Sequence, residues 1–292
     1  MQKIIAAFVM LLLLACSQQI DQIDRSGISV LVSVVPQKYF VEKIAGDLVQ
    51  VSVLIPPGAN PATYEPSPSD MRMVSSADVW FTIGLQMEAA WIPDFLSLNK
   101  HLSIAGTIEG VQRLPIGRYG IPGENEEHDH GSSDPHVWLS PELVKLQALA
   151  VCDALCEIDP DNCELYSANL ARFMEEIDEL REDLHLLLDV HAGEGFMVFH
   201  PAWGYFADEF ELVQVPIEIS GSEPSPGELA RLVDFGERSS VKVIFVSPQF
   251  SESSAETIAH ELGATVLFID PLALNWAENL MYVADELATA LE

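Results

Sequence analysis

Two kinds of apolar pattern alternate along this chain. Short β-branched runs are separated by stretches whose apolar residues recur every three or four positions. Ile28–Val35 (ISVLVSVV), Val49–Ile55 and Val79–Ile83 read as strands buried on both faces. Gln37–Gly46, Ser69–Ala77 and Glu88–Leu96 read as helices, the first ended by its glycine. Pro56–Pro61 is a proline- and glycine-stiffened loop between them. A second set repeats the pattern. Strands are expected at Gly195–Phe199, Val213–Glu218, Val241–Val246 and Thr265–Ile269. Helices are expected at Trp203–Phe210, Pro226–Arg238, Ser254–Leu262 and Trp276–Leu291. Such alternation marks an α/β fold of βαβ units around parallel sheets. The loops that follow the strands then gather at one edge of each sheet.

Between the two sets lies the longest periodic segment, Asp159–Val190. Tyr166, Leu170, Phe173, Ile177, Leu180, Leu184 and Leu187 alternate spacings of four and three. Asp159-Pro160 supplies an N-cap with proline at the first helical position, and Gly193 and Gly195 follow its end. A helix of about thirty residues is a rod of roughly 45 Å. The chain therefore reads as lobe, rod, lobe: residues 28–158, 159–192 and 193–292.

The first residues are a targeting segment. Lys3 precedes the apolar run Ile4–Leu14, which is too short to span a membrane comfortably. Leu13-Leu14-Ala15-Cys16 resembles a lipoprotein signal, with residues 1–15 removed and Cys16 lipidated. Residues 16–27 then form a polar tether to a membrane surface. The expected location is outside the cytoplasm, lipid-anchored to the cell or outer membrane and facing the periplasm or the exterior. The roughly 265 residues that remain suit two lobes. A balance of 14 basic against 45 acidic residues gives a net charge of −31. That excludes nucleic acid as a partner and is compatible with cations as ligands. Of Cys152, Cys156 and Cys163, an exported protein could pair two and leave one over. Cys152 and Cys156, which at i,i+4 share a helix face, lack the Cys-x-x-Cys spacing of a soft-metal site, and buried free thiols are the favoured reading.

The candidate chemistry is histidine. Three of the eight histidines fall in EHDHGSSDPHVWLSP: His128 and His130 in a polar run, His136 directly before Val137-Trp138-Leu139. Neutral imidazole is the commonest metal ligand. His200 and Asp270 directly follow expected strands, where open α/β sheets bind ligands. Each of the three adjoins a proline, Pro135, Pro201 or Pro271. Singly, each has an ordinary reading as a loop or turn residue. Together, two imidazoles and a carboxylate suit zinc or another first-row divalent ion. No His-Glu-x-x-His or comparable motif supports a hydrolytic alternative.

The segments PGANPATYEPSP (57–68), DPHVWLSP (134–141), FHPAWGYF (199–206), EPSP (223–226), VIFVSPQF (243–250) and Asp270-Pro271-Leu272 resemble, in order and spacing, the substrate-binding lipoproteins of zinc and manganese ABC importers. The resemblance runs from about residue 28 to the end. It implies two four-stranded α/β lobes bridged by one long helix, with a metal in the cleft. It also implies an importer permease as partner, a monomer, no enzymatic activity, Zn2+ as cargo (alternatively Mn2+), and His136, His200 and Asp270 as ligands. His128 and His130 correspond to the family's His-rich loop as auxiliary collectors.

One position departs. The family's first ligand is the histidine of Asn-Pro-His-x-Tyr-Glu-Pro, and this chain has Ala62 there. The open position invites water, a swing of His128 or His130, or Glu65. Weaker binding is a further outcome, as is a module whose metal role has decayed in favour of adhesion or another cargo.

Overall fold

The computed structural model describes residues 27–116, 133–218, 224–239, 241–250 and 253–292, apart from the side chain of Ser254. Strand β1 (Ile28–Val32), helix α1 (Val35–Ala45), β2 (Val49–Val53), α2 (Pro68–Ser76), β3 (Val79–Thr82), α3 (Gln86–Leu98) and β4 (Ser103–Gly106) form the first lobe. Helices α4 (Pro141–Ile158) and α5 (Cys163–Leu188) follow. The second lobe comprises β5 (Gly195–Val198), α6 (Gly204–Glu209), β6 (Val213–Pro216), α7 (Pro226–Arg238), β7 (Val243–Val246), α8 (Ser253–Leu262), β8 (Thr265–Phe268) and α9 (Trp276–Leu291). Both sheets are parallel, in the orders β2-β1-β3-β4 and β6-β5-β7-β8.

Burial explains the unbroken apolar runs. All four residues of β3 are buried, because helices cover both faces of a parallel sheet. On α5 the buried stripe is Tyr166, Phe173, Ile177, Leu180, Leu184 and Leu188, and it packs on α1, α4 and α9. A rod of 26 residues is roughly 39 Å long. It starts later than the Asp-Pro signature predicts. Pro160–Asn162 is a 3-10 turn, because the Asp159 carboxylate takes the Asn162 amide (2.7 Å) and the Tyr166 hydroxyl (2.8 Å) instead of capping backbone N–H groups. Among the described residues no helix is long and apolar enough to cross a membrane.

The expectation of free thiols fails for two of the three cysteines. Cys156 and Cys163 form a disulfide, and only Cys152 is free and buried. The turn after Ile158 folds α5 back along α4 and brings the two Cα atoms to 4.6 Å, inside the bonding range. The bonded partners come from two successive helices, Cys156 from α4 and Cys163 from the start of α5.

The lobes are joined by more than the rod. Glu209, at the end of α6, accepts from Arg181 Nε of α5 (2.7 Å) and from the Ser140 hydroxyl at the start of α4. The Tyr205 hydroxyl donates to the Asp134 carbonyl (3.1 Å) and accepts from Leu114 N (3.0 Å).

Candidate metal centre

His136 begins the 3-10 turn Val137–Leu139, which runs into α4. Ser140 caps that helix by accepting from Leu143 N at 3.2 Å, with Pro141 at its first position. The histidine is thus fixed to a rigid helix start. Asp134 orients it: Oδ1 accepts from the His136 backbone N–H (2.9 Å) and lies 2.7 Å from Nδ1. Asp134 is almost fully buried against the second lobe. A Cβ on Gly204 would stand 2.7 Å from Asp134 Oδ2, so only glycine admits this docking.

Facing His136 is the C-terminal edge of the second sheet. Each strand there is followed, two or three residues on, by a polar side chain. In sheet order these are Glu218 after β6, His200 after β5, Gln249 after β7 and Asp270 after β8. They interact in neighbouring pairs. Glu218 Oε1 is 2.7 Å from His200 Nδ1, and Gln249 Nε2 donates to Asp270 Oδ1 at 2.8 Å. Leu272 N donates to the same Asp270 oxygen at 2.9 Å. The Phe250 ring stacks on His200 at 4.3 Å.

The two histidines meet across the lobes with Nε2 atoms 3.3 Å apart. Each Nδ1 faces a carboxylate, so each Nδ1 carries the proton and each Nε2 presents a lone pair. Two lone pairs at this distance repel unless a cation or an extra proton lies between them. Burial holds His200 below the ordinary histidine value. Glu218 opposes that shift and the neighbouring His136 adds to it. A neutral imidazole results, the form that coordinates metal.

Of the expected ligands, His136 and His200 are brought together and Asp270 is not. Among the described residues, no three His, Cys, Asp or Glu side chains are placed to hold one ion. In the sheet β7 lies between β5 and β8, so the roots of His200 and Asp270 are two strand spacings apart, roughly 10 Å, and Asp270 Oδ1 is held by Gln249 and Leu272. His128, His130 and Cys16 lie outside the described residues. Ala62 and Glu65 are exposed on the loop after β2. That loop is held by Asn60, whose Oδ1 accepts from Ala62 N (2.9 Å), and by the Tyr64 hydroxyl on Asp70 (2.6 Å). The orienting residues Asp134, Glu218 and Gln249 were not singled out from the sequence. Glu218 ends an expected strand and Gln249 follows one closely, a position that could have flagged both.

A family model described as "Zinc-uptake complex component A periplasmic" (ZnuA) matches residues 30–290. The high-affinity zinc uptake system protein ZnuA of Bacillus subtilis is 30% identical over 285 residues, covering 92% of this chain and 87% of that protein. The manganese-binding lipoprotein MntA of Halalkalibacterium halodurans is 28% identical over 267 residues, covering 89% and 85%. The crystal structure of a ZnuA deletion mutant with zinc bound superposes with a TM-score of 0.82 at 42% identity, covering 90% of this chain and 98% of that one. The seam histidines and all of both sheets but the first two residues of β1 lie within the matched residues, and the chain belongs to the ZnuA family of zinc-uptake components.

Proposed function

We propose that this protein is the extracytoplasmic substrate-binding component of an ABC importer, and that it captures a divalent ion between its lobes and hands it to the permease. The ion is Zn2+, with Mn2+ as the alternative. The observation that carries the reading is the facing pair of Nε2 lone pairs on His136 and His200, each backed by a buried carboxylate. Carboxylate-backed imidazole is the arrangement that orients a histidine and raises its basicity toward a metal. Two imidazoles favour zinc among first-row ions available as cargo. Asp270 is proposed as the third ligand through Oδ2, which has no hydrogen-bond partner among the described residues. Loading then draws the β8 loop toward the histidines.

Cys16 is proposed as the lipid anchor, with residues 1–15 a cleaved signal and residues 16–27 a tether. His128 and His130 are proposed as collectors beside the main site. The reading is of carriage without turnover. Chelator competition on the purified mature chain tests it. H136A and H200A should each weaken Zn2+ binding at least a hundredfold, whereas joint loss of His128 and His130 should cost less than tenfold. Unchanged affinity in H136A or H200A would contradict the assignment.

A further inference from the structure

Gln249 holds a buried polar atom with no partner. Its side-chain Oε1 is enclosed and accepts no hydrogen bond, one of two such side-chain atoms among the described residues. Buried acceptors are nearly always satisfied, so an exception calls for an explanation such as an ion. A flipped amide is no remedy: Nε2 donates to Asp270 Oδ1 at 2.8 Å, and exchanging the two ends would set an oxygen against the carboxylate. Strand order then locates the amide. Gln249 follows β7, the strand between those that carry His200 and Asp270, and the next residue, Phe250, stacks on the His200 ring. The unpartnered oxygen therefore belongs to the stretch of sheet edge that separates the two proposed ligands.

We propose that Gln249 Oε1 is a further donor to the bound ion, occupying the coordination position that Ala62 leaves open. This rests on the carrier reading above and deepens it. The donor set becomes two imidazole nitrogens, one carboxylate oxygen and one amide oxygen. An amide oxygen is a harder donor than the imidazole it replaces, so the site tolerates Mn2+ better than a site with three histidines does.

The test measures Zn2+ and Mn2+ affinities of the purified mature chain by chelator competition. Q249M removes both amide ends, Q249E keeps oxygen donors but loses the N–H on Asp270, and A62H restores a histidine. Q249M should weaken Zn2+ at least tenfold and Mn2+ more, while Q249E should stay within threefold of wild type. In the A62H background the Q249M penalty should fall below threefold, because the imidazole takes the vacated position. Cobalt-loaded Q249M should show shifted visible absorption bands, and metal-free melting confirms that each variant is folded. Equal losses in Q249M and Q249E would overturn the proposal, since the amide nitrogen alone would then matter. Unchanged affinity in Q249M, or a full Q249M penalty in the A62H background, would overturn it as well. A wild-type chain that binds no metal would instead remove the carrier reading itself.

Discussion

The indole N–H of Trp138 donates to the carbonyl oxygen of Pro271 at 2.7 Å, across the seam between the lobes. Trp138 stands two residues after His136, and Pro271 directly follows Asp270. The carbonyl of Trp138 in turn accepts from Trp276 Nε1, also at 2.7 Å. The two loops that carry proposed ligands are therefore tied to each other independently of any ion.

Breaking that tie should cost both stability and binding. Trp138→Phe leaves the Pro271 carbonyl without its donor, which costs about 1–3 kcal/mol. For a chain of this size that corresponds to a melting temperature lower by roughly 2–10 °C. Calorimetry of the metal-free protein should show the drop, and chelator competition a several-fold weaker Zn2+ affinity. Weaker affinity without lower stability would mean that the indole acts on the ion site alone.

The carboxylates behind the histidines should matter nearly as much as the imidazoles. Asp134→Asn and Glu218→Gln keep size while weakening the acceptor that fixes each Nδ1–H. Loss of such an outer partner typically costs about 10–100-fold in metal affinity. Titration of each variant with Zn2+ against a chelator checks this. Full affinity in both would show that packing alone orients the rings.

The pH dependence has a definite sign. His200 has a folded value below its ordinary 6.5, with burial the largest cause. The unfolded chain thus binds more protons than the native one as pH falls below about 6.5, and native stability declines with falling pH in that window. Above it the contribution is complete. His200→Gln should flatten the slope of metal-free melting temperature between about pH 5 and 6.5. Protons also compete with metal, so Zn2+ release should accompany acidification.

The α4–α5 hairpin should depend on its disulfide. Closing the short loop between Cys156 and Cys163 restricts the unfolded chain by about 2–3 kcal/mol. Reduction should lower the wild-type melting temperature by several degrees and leave the Cys156→Ser/Cys163→Ser variant unmoved. Equal effects of reductant on both proteins would show that this disulfide is not what stabilises the hairpin.

Much of this architecture is legible in the sequence because buried parallel strands and amphipathic helices write strong patterns. Val79–Thr82 is apolar throughout since both faces are covered, and α7 and α9 end where their patterns end. Two elements are not legible in that way. β4 is Ser-Ile-Ala-Gly at a sheet edge, with little apolar signal. α4 places Gln147 among its buried residues, where the amide reaches the Val137 carbonyl, so its stripe is broken. The Ser140-Pro141 start of α4 carries the same cap-and-proline signature that misled at Asp159-Pro160, because caps are decided by which partners compete for the side chain. At the site, His136 and His200 announce themselves through residue type and position. Gln249 announces itself only by its place closely after an expected strand, and its unpartnered oxygen and its strand's place in the sheet come from the structure.

Equilibrium dialysis of the mature chain against micromolar Zn2+, beside H136A and H200A, tests the central claim most directly. One equivalent bound per wild-type chain and none by either variant is the predicted result. Metal retained by both variants, or none taken up by wild type, would contradict it.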